Sequence, residues 1–134
     1  LIQDRKVILS ESRPPDILVI APYSAQVSLL RRELAKAGVP AQSVRVESFD
    51  SVQGLECDFA FVSLTRSNER NAFGFIGPNY WRRHNVAFSR AREGLYIFGD
   101  LDFVKQKKGG LKDVADYISR KNNGCQIVVM TDGQ

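Results

Sequence analysis

The side chains best suited to chemistry in this chain are the arginines of the segment 81–94, WRRHNVAFSRAREG. The segment contains four arginines, one glutamate and no lysine. Arginine keeps its charge and presents a planar fork of donors, which matches the oxygens of a phosphate group. The apolar spacing predicts a helix over 81–94, in which Arg83 and Arg90 lie two turns apart on one flank. A solvated basic face and a phosphate-binding face both fit this pattern.

Other candidate site residues follow the predicted strands, where the ligands of open parallel sheets bind. They are Pro22, Tyr23 and Gln26 after the first strand, Asp50, Gln53, Gly54, Glu56 and Asp58 after the second, Arg66 and Asn68 after the third, and Asp100 and Asp102 after the fourth. Each residue also has a purely structural interpretation, such as a helix cap or a turn. Because the carboxyl ends of parallel strands meet at one edge, we expect these residues to gather there.

Strands and helices alternate along the chain in a way that is typical of βαβ units. The pattern predicts strands over 16–22, 44–49, 58–65, 94–99 and 125–130, and helices over 23–38, 81–94 and 111–121. Residues 1–12 fit a helix or a strand, and we favour a helix, whereas 66–78 is predicted to be a mobile loop. The chain is therefore expected to be an α/β domain with a mainly parallel sheet of about five strands and helices on both faces.

Length and composition indicate one globular domain with a core of its own. The chain has 134 residues, of which 43% are hydrophobic and 25% charged. Its formal net charge of +4 mildly favours a polyanionic partner. No apolar run approaches the roughly 20 residues that cross a bilayer, and the amino end lacks the pattern of a signal peptide. We therefore expect no membrane partner.

Cysteine and histidine usage excludes a metal centre and a disulfide framework. Cys57 and Cys125 do not have the spacing of metal ligands, and the single histidine, His84, cannot form a metal cluster. We interpret all three as buried or idle side chains of a reducing, intracellular protein. We therefore predict no metal site in this chain.

The chain lacks the motifs that would let it bind a nucleotide alone. It has no GxxxxGK[ST] sequence and no GxGxxG sequence after a strand. With one histidine inside the arginine-rich segment, a Ser, His and acid arrangement is also excluded. The chain thus has hydrogen-bond donors for a phosphate group but no loop that would hold a nucleotide. This combination suggests that it forms half of a nucleotide site shared with another domain.

Three segments, in order, resemble motifs IV, V and VI of superfamily 1 helicases. They are APYSAQ at 21–26, VESFDSVQGLECDF at 46–59 and RRHNVAFSRAR at 82–92. The chain looks most similar to the branch that contains the RNA helicase of nonsense-mediated decay and its DNA-helicase relatives. The resemblance covers roughly residues 17–104, and the combination of motifs V and VI is its most specific part.

The resemblance implies a single RecA-like domain over 1–134, the second of the two in such a helicase. The family's ATP lies between the two domains, and the first supplies the P-loop and the Mg²⁺-binding acid. By position, Arg90 resembles the arginine finger that reaches the γ-phosphate. Gln53 and Gly54 resemble the turn that lines the nucleotide, Glu56 the acid near the ribose, and Arg83 a basic position that binds nucleotide or bridges to motif V acids.

The same resemblance implies a single-stranded RNA or DNA partner. Its expected contacts are Pro22, Tyr23, Gln26, Ser48, Asp50 and Arg66. The other partner would be the first RecA-like domain of the same protein. ATP and Mg²⁺ would bind the full-length protein and not this chain alone. We expect a cytoplasmic or nuclear location, and we expect the chain, which begins at Leu1, to be a fragment of a longer protein.

Some residues depart from the family pattern. Ala21 stands where a threonine is common, so one contact to the nucleic-acid backbone is expected to be absent, whereas Val52, Phe88 and Ser89 are conservative changes. The adenine-stacking tyrosine that precedes motif IV is not found in 1–16, and we expect it to lie outside this chain. The alternative function is a non-catalytic nucleic-acid-binding module that kept the helicase fold. An autonomous Rossmann-like domain is disfavoured because no glycine fingerprint follows a strand.

Overall fold

The computed structural model describes residues 14–65, 74–120 and 124–130, and within them the chain forms a parallel sheet with helices on both faces. The strands are β1 Ile17–Ala21, β2 Val44–Ser48, β3 Cys57–Ser63 and β4 Ala91–Phe98. The helices are α1 Ser24–Lys36, α2 Trp81–Phe88, α3 Leu101–Val104 and α4 Gly110–Ser119, with short 3-10 turns at Gly74–Ile76 and Pro78–Tyr80. The strand order is β2-β1-β3-β4, and every pairing is parallel.

Alternation along β1 divides the core into two layers. Leu18 and Ile20 face the larger cluster, to which β3 and the helices α2, α3 and α4 contribute. Val19 and Ala21 face the smaller cluster, where α1 packs through Val27. Because neighbouring strand residues point to opposite faces, a run that is apolar throughout can bury both sides of a central strand. The predicted three-layer α/β architecture is therefore confirmed.

Helix α1 follows the periodicity of its sequence. Val27, Leu30 and Leu34 pack on the smaller cluster, as predicted. The helix ends where Gly38 adopts a φ of +79°, a conformation that glycine reaches without steric cost. Arg31 donates from Nη2 to the Val46 carbonyl oxygen at 2.6 Å, so α1 also covers part of the edge strand β2.

The predicted fifth strand over 125–130 is wrong. The described residues form four strands, and 124–130 has no regular secondary structure. Val128 and Val129 are about four-fifths exposed, at 79% and 81%. An apolar, β-branched sequence favours a strand, but a strand forms only where a neighbour supplies backbone hydrogen bonds.

The predicted helix over 81–94 is also too long. Helix α2 ends at Phe88, and Ala91, expected within the helix, is the first residue of β4. Arg90 therefore lies in the connection between them, and its seven-residue spacing from Arg83 does not place the two on one helix flank. The Cys57 amide donates to the Arg90 carbonyl at 3.1 Å, so pairing with β3 replaces the next helical turn.

The remaining predicted strands and helices match the observed ones to within a few residues. The predictions for 1–12 and for most of the 66–78 loop, including Arg66 and Asn68, lie outside the described residues. No helix in 14–65, 74–120 or 124–130 is long and apolar enough to cross a membrane.

Candidate functional site

The loop between β2 and β3 and helix α2 lie side by side on one face of the sheet. The loop is anchored by Phe49 and Val52, which are 4% and 0% exposed. Near its start, the Asp50 carboxylate accepts from Arg83 Nε at 3.0 Å. Near its end, the Leu55 carbonyl accepts from Arg90 Nη1 at 3.2 Å. The two motifs that the sequence singled out are therefore joined at both ends.

Arg90 is held by three neutral oxygen atoms. Its Nε donates to the Val86 carbonyl at 2.9 Å, and its Nη2 donates to Ser89 Oγ at 2.9 Å. The third acceptor is the Leu55 carbonyl. The residue is partly exposed, at the amino end of β4. None of its partners in the described part of the chain carries a negative charge, so its own charge is not neutralised.

Arg83 and Arg92 differ from Arg90 because both pair with carboxylates. Arg83 pairs with Asp50 and also lies over the Tyr80 ring, with Cζ at 5.2 Å from its centroid. Arg92, on β4, pairs with Glu56 at 3.1 Å and with Asp58 at 3.2 Å. Arginine next to a carboxylate is already charge-compensated, whereas Arg90 remains available to an anion.

The Gln53–Gly54 turn lies beside this arrangement and faces solvent. Gly54 adopts a φ of +82°, and a Cβ added there would meet nothing within 4 Å. A glycine is therefore required by the backbone conformation and not by crowding. Gln53 is also exposed, so the turn presents its backbone and an amide side chain to the surroundings.

The expectation that all the polar residues gather at the carboxyl edge of the sheet is wrong. Glu56 directly precedes β3 and Asp58 is its second residue, so both lie at the amino edge. The Asp58 carboxylate accepts from the amide of Asp16, which directly precedes β1. The loop 49–56 crosses the sheet from the end of β2 to the start of β3, and this crossing separates residues that are close in sequence.

The carboxyl edge holds a second group of predicted residues. Pro22 and Tyr23 follow β1, and Gln26 lies in the first turn of α1. At the end of β2, Ser48 Oγ lies 2.9 Å from Ser51 Oγ, and Asp50 pairs with Arg83. Arg83 thus belongs with the carboxyl edge, about 8 Å along α2 from the end that leads to Arg90. Asp100 is a cap, since its Oδ1 accepts from the Phe103 amide at 3.0 Å.

Sequence reasoning missed the roles of Arg45 and Arg92. Arg45, on β2, pairs with Asp16 at 3.0 Å, and Arg92 lies on β4 and not in the helix predicted over 81–94. Their carboxylate partners lie 29 to 36 positions away along the chain, so no local pattern reports them. Among the described residues, no group of three or more His, Cys, Asp or Glu is arranged to hold a metal ion.

The family described as "AAA domain" matches residues 3–102 of this sequence. The chain belongs to this family. Its parallel sheet, with helices on both faces, is the RecA-like α/β fold that was expected.

Several characterised proteins are similar to this member of the family. DNA polymerase alpha-associated DNA helicase A of Schizosaccharomyces pombe is 41% identical over 90 residues, which are 67% of this chain and 13% of that protein. A regulator of nonsense transcripts 1 homolog of Arabidopsis thaliana is 41% identical over 91 residues, 65% of this chain and 7% of that protein. DNA replication ATP-dependent helicase/nuclease DNA2 of Mus musculus is 38% identical over 93 residues, 69% of this chain and 8% of that protein. The chain thus spans 13% or less of the length of each of these relatives.

Proposed function

We propose that this chain is the second RecA-like domain of an ATP-dependent RNA or DNA helicase and that Arg90 is its arginine finger. Family membership and relatives named as helicases support the coarser part of this proposal. The observation that carries the finer part is the difference in charge compensation among Arg83, Arg90 and Arg92. Arg83 and Arg92 are paired with carboxylates, whereas Arg90 contacts only neutral oxygens.

This arrangement suits an arginine finger for a physical reason. The transferring γ-phosphoryl group carries negative charge that an arginine can stabilise only if no protein carboxylate already neutralises it. The contacts to Val86, Leu55 and Ser89 restrain the guanidinium without compensating its charge. Restraint before the nucleotide arrives reduces the reorganisation needed at the moment of reaction.

The amino edge of β3 and β4 would form this domain's side of the ATP cleft. Gln53 and Gly54 line the nucleotide, and Glu56 accepts a hydrogen bond from a ribose hydroxyl. Arg83, a nucleotide-binding prediction, instead supports the site indirectly, because it ties α2 to the loop through Asp50. The first RecA-like domain of the same protein supplies the P-loop and the Mg²⁺-binding acid, which these 134 residues lack as motifs.

The carboxyl edge of β1 and β2 would contact single-stranded RNA or DNA. Its proposed contacts are Pro22, Tyr23, Gln26, Ser48, Asp50 and, outside the described residues, Arg66. The two ligands thus approach opposite edges of one sheet, and α2 with the 49–56 loop connects those edges. A helicase of this kind works in the cytoplasm or the nucleus, where its nucleic acid is found.

Substitution of Arg90 in the full-length protein tests the proposal. Arg90→Ala is expected to lower nucleic-acid-stimulated ATP turnover by about 10³-fold or more, because the charge on the transferring group loses its counter-charge. The affinity for single-stranded RNA or DNA should stay within about threefold, since Arg90 lies at the other edge. Steady-state phosphate release and fluorescence anisotropy measure the two quantities.

Arg32→Ala is a matched control. Arg32 is an exposed arginine of α1, 3.9 Å from Glu33, and lies on the other face of the sheet. It should leave both quantities unchanged. Near-normal turnover in Arg90→Ala would remove Arg90 from the proposed role. A full-length protein that binds nucleic acid and hydrolyses no ATP would favour the non-catalytic alternative.

A further inference from the structure

A β-bulge lies where β4 begins, next to the proposed ATP cleft. Cys57 of β3 is opposite Ala91 of β4, and Phe59 is opposite Gly94. Two residues of β4, Arg92 and Glu93, therefore oppose the single residue Asp58 of β3. An extra residue in one strand changes the local twist and redirects the side chain that it carries. Here the bulge brings the Arg92 side chain to Asp58.

The Arg92 guanidinium joins a buried carboxylate to an exposed one. Its Nε and Nη2 donate to Asp58 Oδ1 at 3.3 and 3.2 Å. Its Nη1 donates to Glu56 Oε2 at 3.1 Å. The Asp58 side chain is 2% exposed, whereas the Glu56 side chain is 71% exposed. Arg92 is therefore anchored in the interior and extends to the surface.

Asp58 is itself held in place from the neighbouring strands. Its Oδ2 accepts from the Asp16 amide at 2.8 Å. Arg45 Nη2 donates to the Asp16 carboxylate at 3.0 Å and to the Glu56 carbonyl at 2.9 Å. The main chain of Glu56 is thus held by Arg45, and its side chain is held by Arg92.

This anchoring allows the exposed ion pair between Arg92 and Glu56 to hold the Glu56 side chain in position. A pair of two mobile surface side chains contributes little, because both lose conformational freedom when they meet. Arg92 has already lost that freedom through its contacts with Asp58, so only Glu56 remains to be ordered. Glu56 Oε1 has no hydrogen-bond partner among the described residues, and it can accept one from a ligand.

We propose that Arg92, anchored by Asp58, is a positioning residue that fixes Glu56 for a ribose hydroxyl. It thereby sets the preference of the site for ATP over an analogue that lacks this ribose hydroxyl. This inference rests on the proposed function, in which Glu56 faces the ribose. It assigns to Arg92 no contact with the nucleotide, because two carboxylates already compensate its charge.

The test measures kcat and KM of the full-length protein for ATP, 2′-deoxyATP and 3′-deoxyATP. The wild-type protein should use ATP with a kcat/KM at least about tenfold above that for one of the two analogues, because a charged acceptor loses its hydroxyl donor. Arg92→Gln and Glu56→Ala should each raise the KM for ATP by about five- to tenfold and abolish most of the discrimination. The kcat for ATP should change by less than about twofold, since neither residue contacts the transferring phosphoryl group.

Further variants separate a positioning role of Arg92 from an effect on folding. Because Arg92→Gln leaves the buried Asp58 without its cation, it can also destabilise the fold, whereas Glu56→Ala removes an exposed side chain and does not. Arg92→Lys can neutralise Asp58 but cannot engage both carboxylates as a fork does, so it should keep the melting temperature and still lose discrimination. The double variant Arg92→Gln with Glu56→Ala should be no worse than Glu56→Ala alone. Arg32→Gln should behave as wild type.

The outcomes distinguish this inference from the proposed function. If Arg90→Ala abolishes turnover but Arg92→Lys and Arg92→Gln retain full discrimination, the proposed function stands and the positioning role is wrong. Equal use of ATP and both analogues by the wild-type protein also overturns the positioning role. If Arg90→Ala keeps its turnover, the proposed function fails by a separate measurement.

Discussion

Arg90 and Arg92 are two residues apart, yet their partners assign them different chemistry. Arg92 meets one buried and one exposed carboxylate, and Arg90 meets two carbonyls and a hydroxyl. Charge compensation, and not residue type, decides which of the two can serve an incoming phosphate. Both residues belong to the arginine-rich segment, but its sequence does not rank its arginines.

The two cysteines are predicted to differ in their rates of alkylation. Cys57 is 0% exposed, and burial, with the nearby Asp16 carboxylate, raises the pKa of its thiol. Cys125 is exposed. The thiolate is the reactive form, so a raised pKa and burial both slow alkylation of Cys57. Iodoacetamide at pH 8 should modify Cys125 at least about tenfold faster, as followed by peptide mass spectrometry.

Urea provides the control for this comparison. In the unfolded chain both thiols are exposed and should react at similar rates. Equal alkylation rates in the folded protein would contradict the burial of Cys57 at the start of β3.

Among the secondary-structure elements, the local pattern identified strands β1 to β3 and helix α1 because each has a clear periodicity and a clear end. It overextended α2 because VAFSRARE has no helix-breaking residue. The helix stops there for a tertiary reason, since the Arg90 carbonyl and Ala91 pair with Cys57 of β3. The 125–130 segment shows the opposite case. Its sequence favours a strand, but it does not pair with any described strand.

The contact between α2 and α4 predicts how a substitution at Gly110 affects stability. Gly110 starts α4 against the Trp81 ring that starts α2, and a Cβ added to Gly110 would overlap carbons of that ring. Gly110→Ala should therefore lower the free energy of unfolding by about 1–3 kcal/mol, the usual cost of overpacking. Urea denaturation followed by circular dichroism measures the change.

The double variant Gly110→Ala with Trp81→Leu identifies the cause. If the clash is responsible, the alanine should cost less when the indole is absent, and the two effects should be clearly non-additive. Strict additivity would place the cost elsewhere, for example in the backbone at Gly109, whose φ is +151°.

At the scale of the whole domain, the sheet presents two separate edges to two proposed ligands. Helix α2 and the 49–56 loop run between these edges and are joined at both ends by arginine contacts. Packed, hydrogen-bonded elements therefore connect the two edges.

The isolated 134-residue chain should release phosphate from ATP no faster than buffer, with or without Mg²⁺ and single-stranded nucleic acid. An arginine finger stabilises the transferring group but does not hold the triphosphate, and this sequence contains no P-loop motif. A phosphate-release assay, with the full-length protein as the positive control, measures this. Turnover above background would show that the domain holds a complete site.

The amino-acid order alone indicates the α/β class, most of the helix and strand positions, the three ordered motifs and the arginine-rich composition of the 81–94 segment. These features are local, because they depend on periodicity and on residues within about ten positions of one another. The division of the site between two edges, the early end of α2 and the Arg92 network required the folded chain. Each depends on hydrogen bonds between residues such as Arg92 and Asp58, 34 positions apart, whose pairing is set by how the strands align.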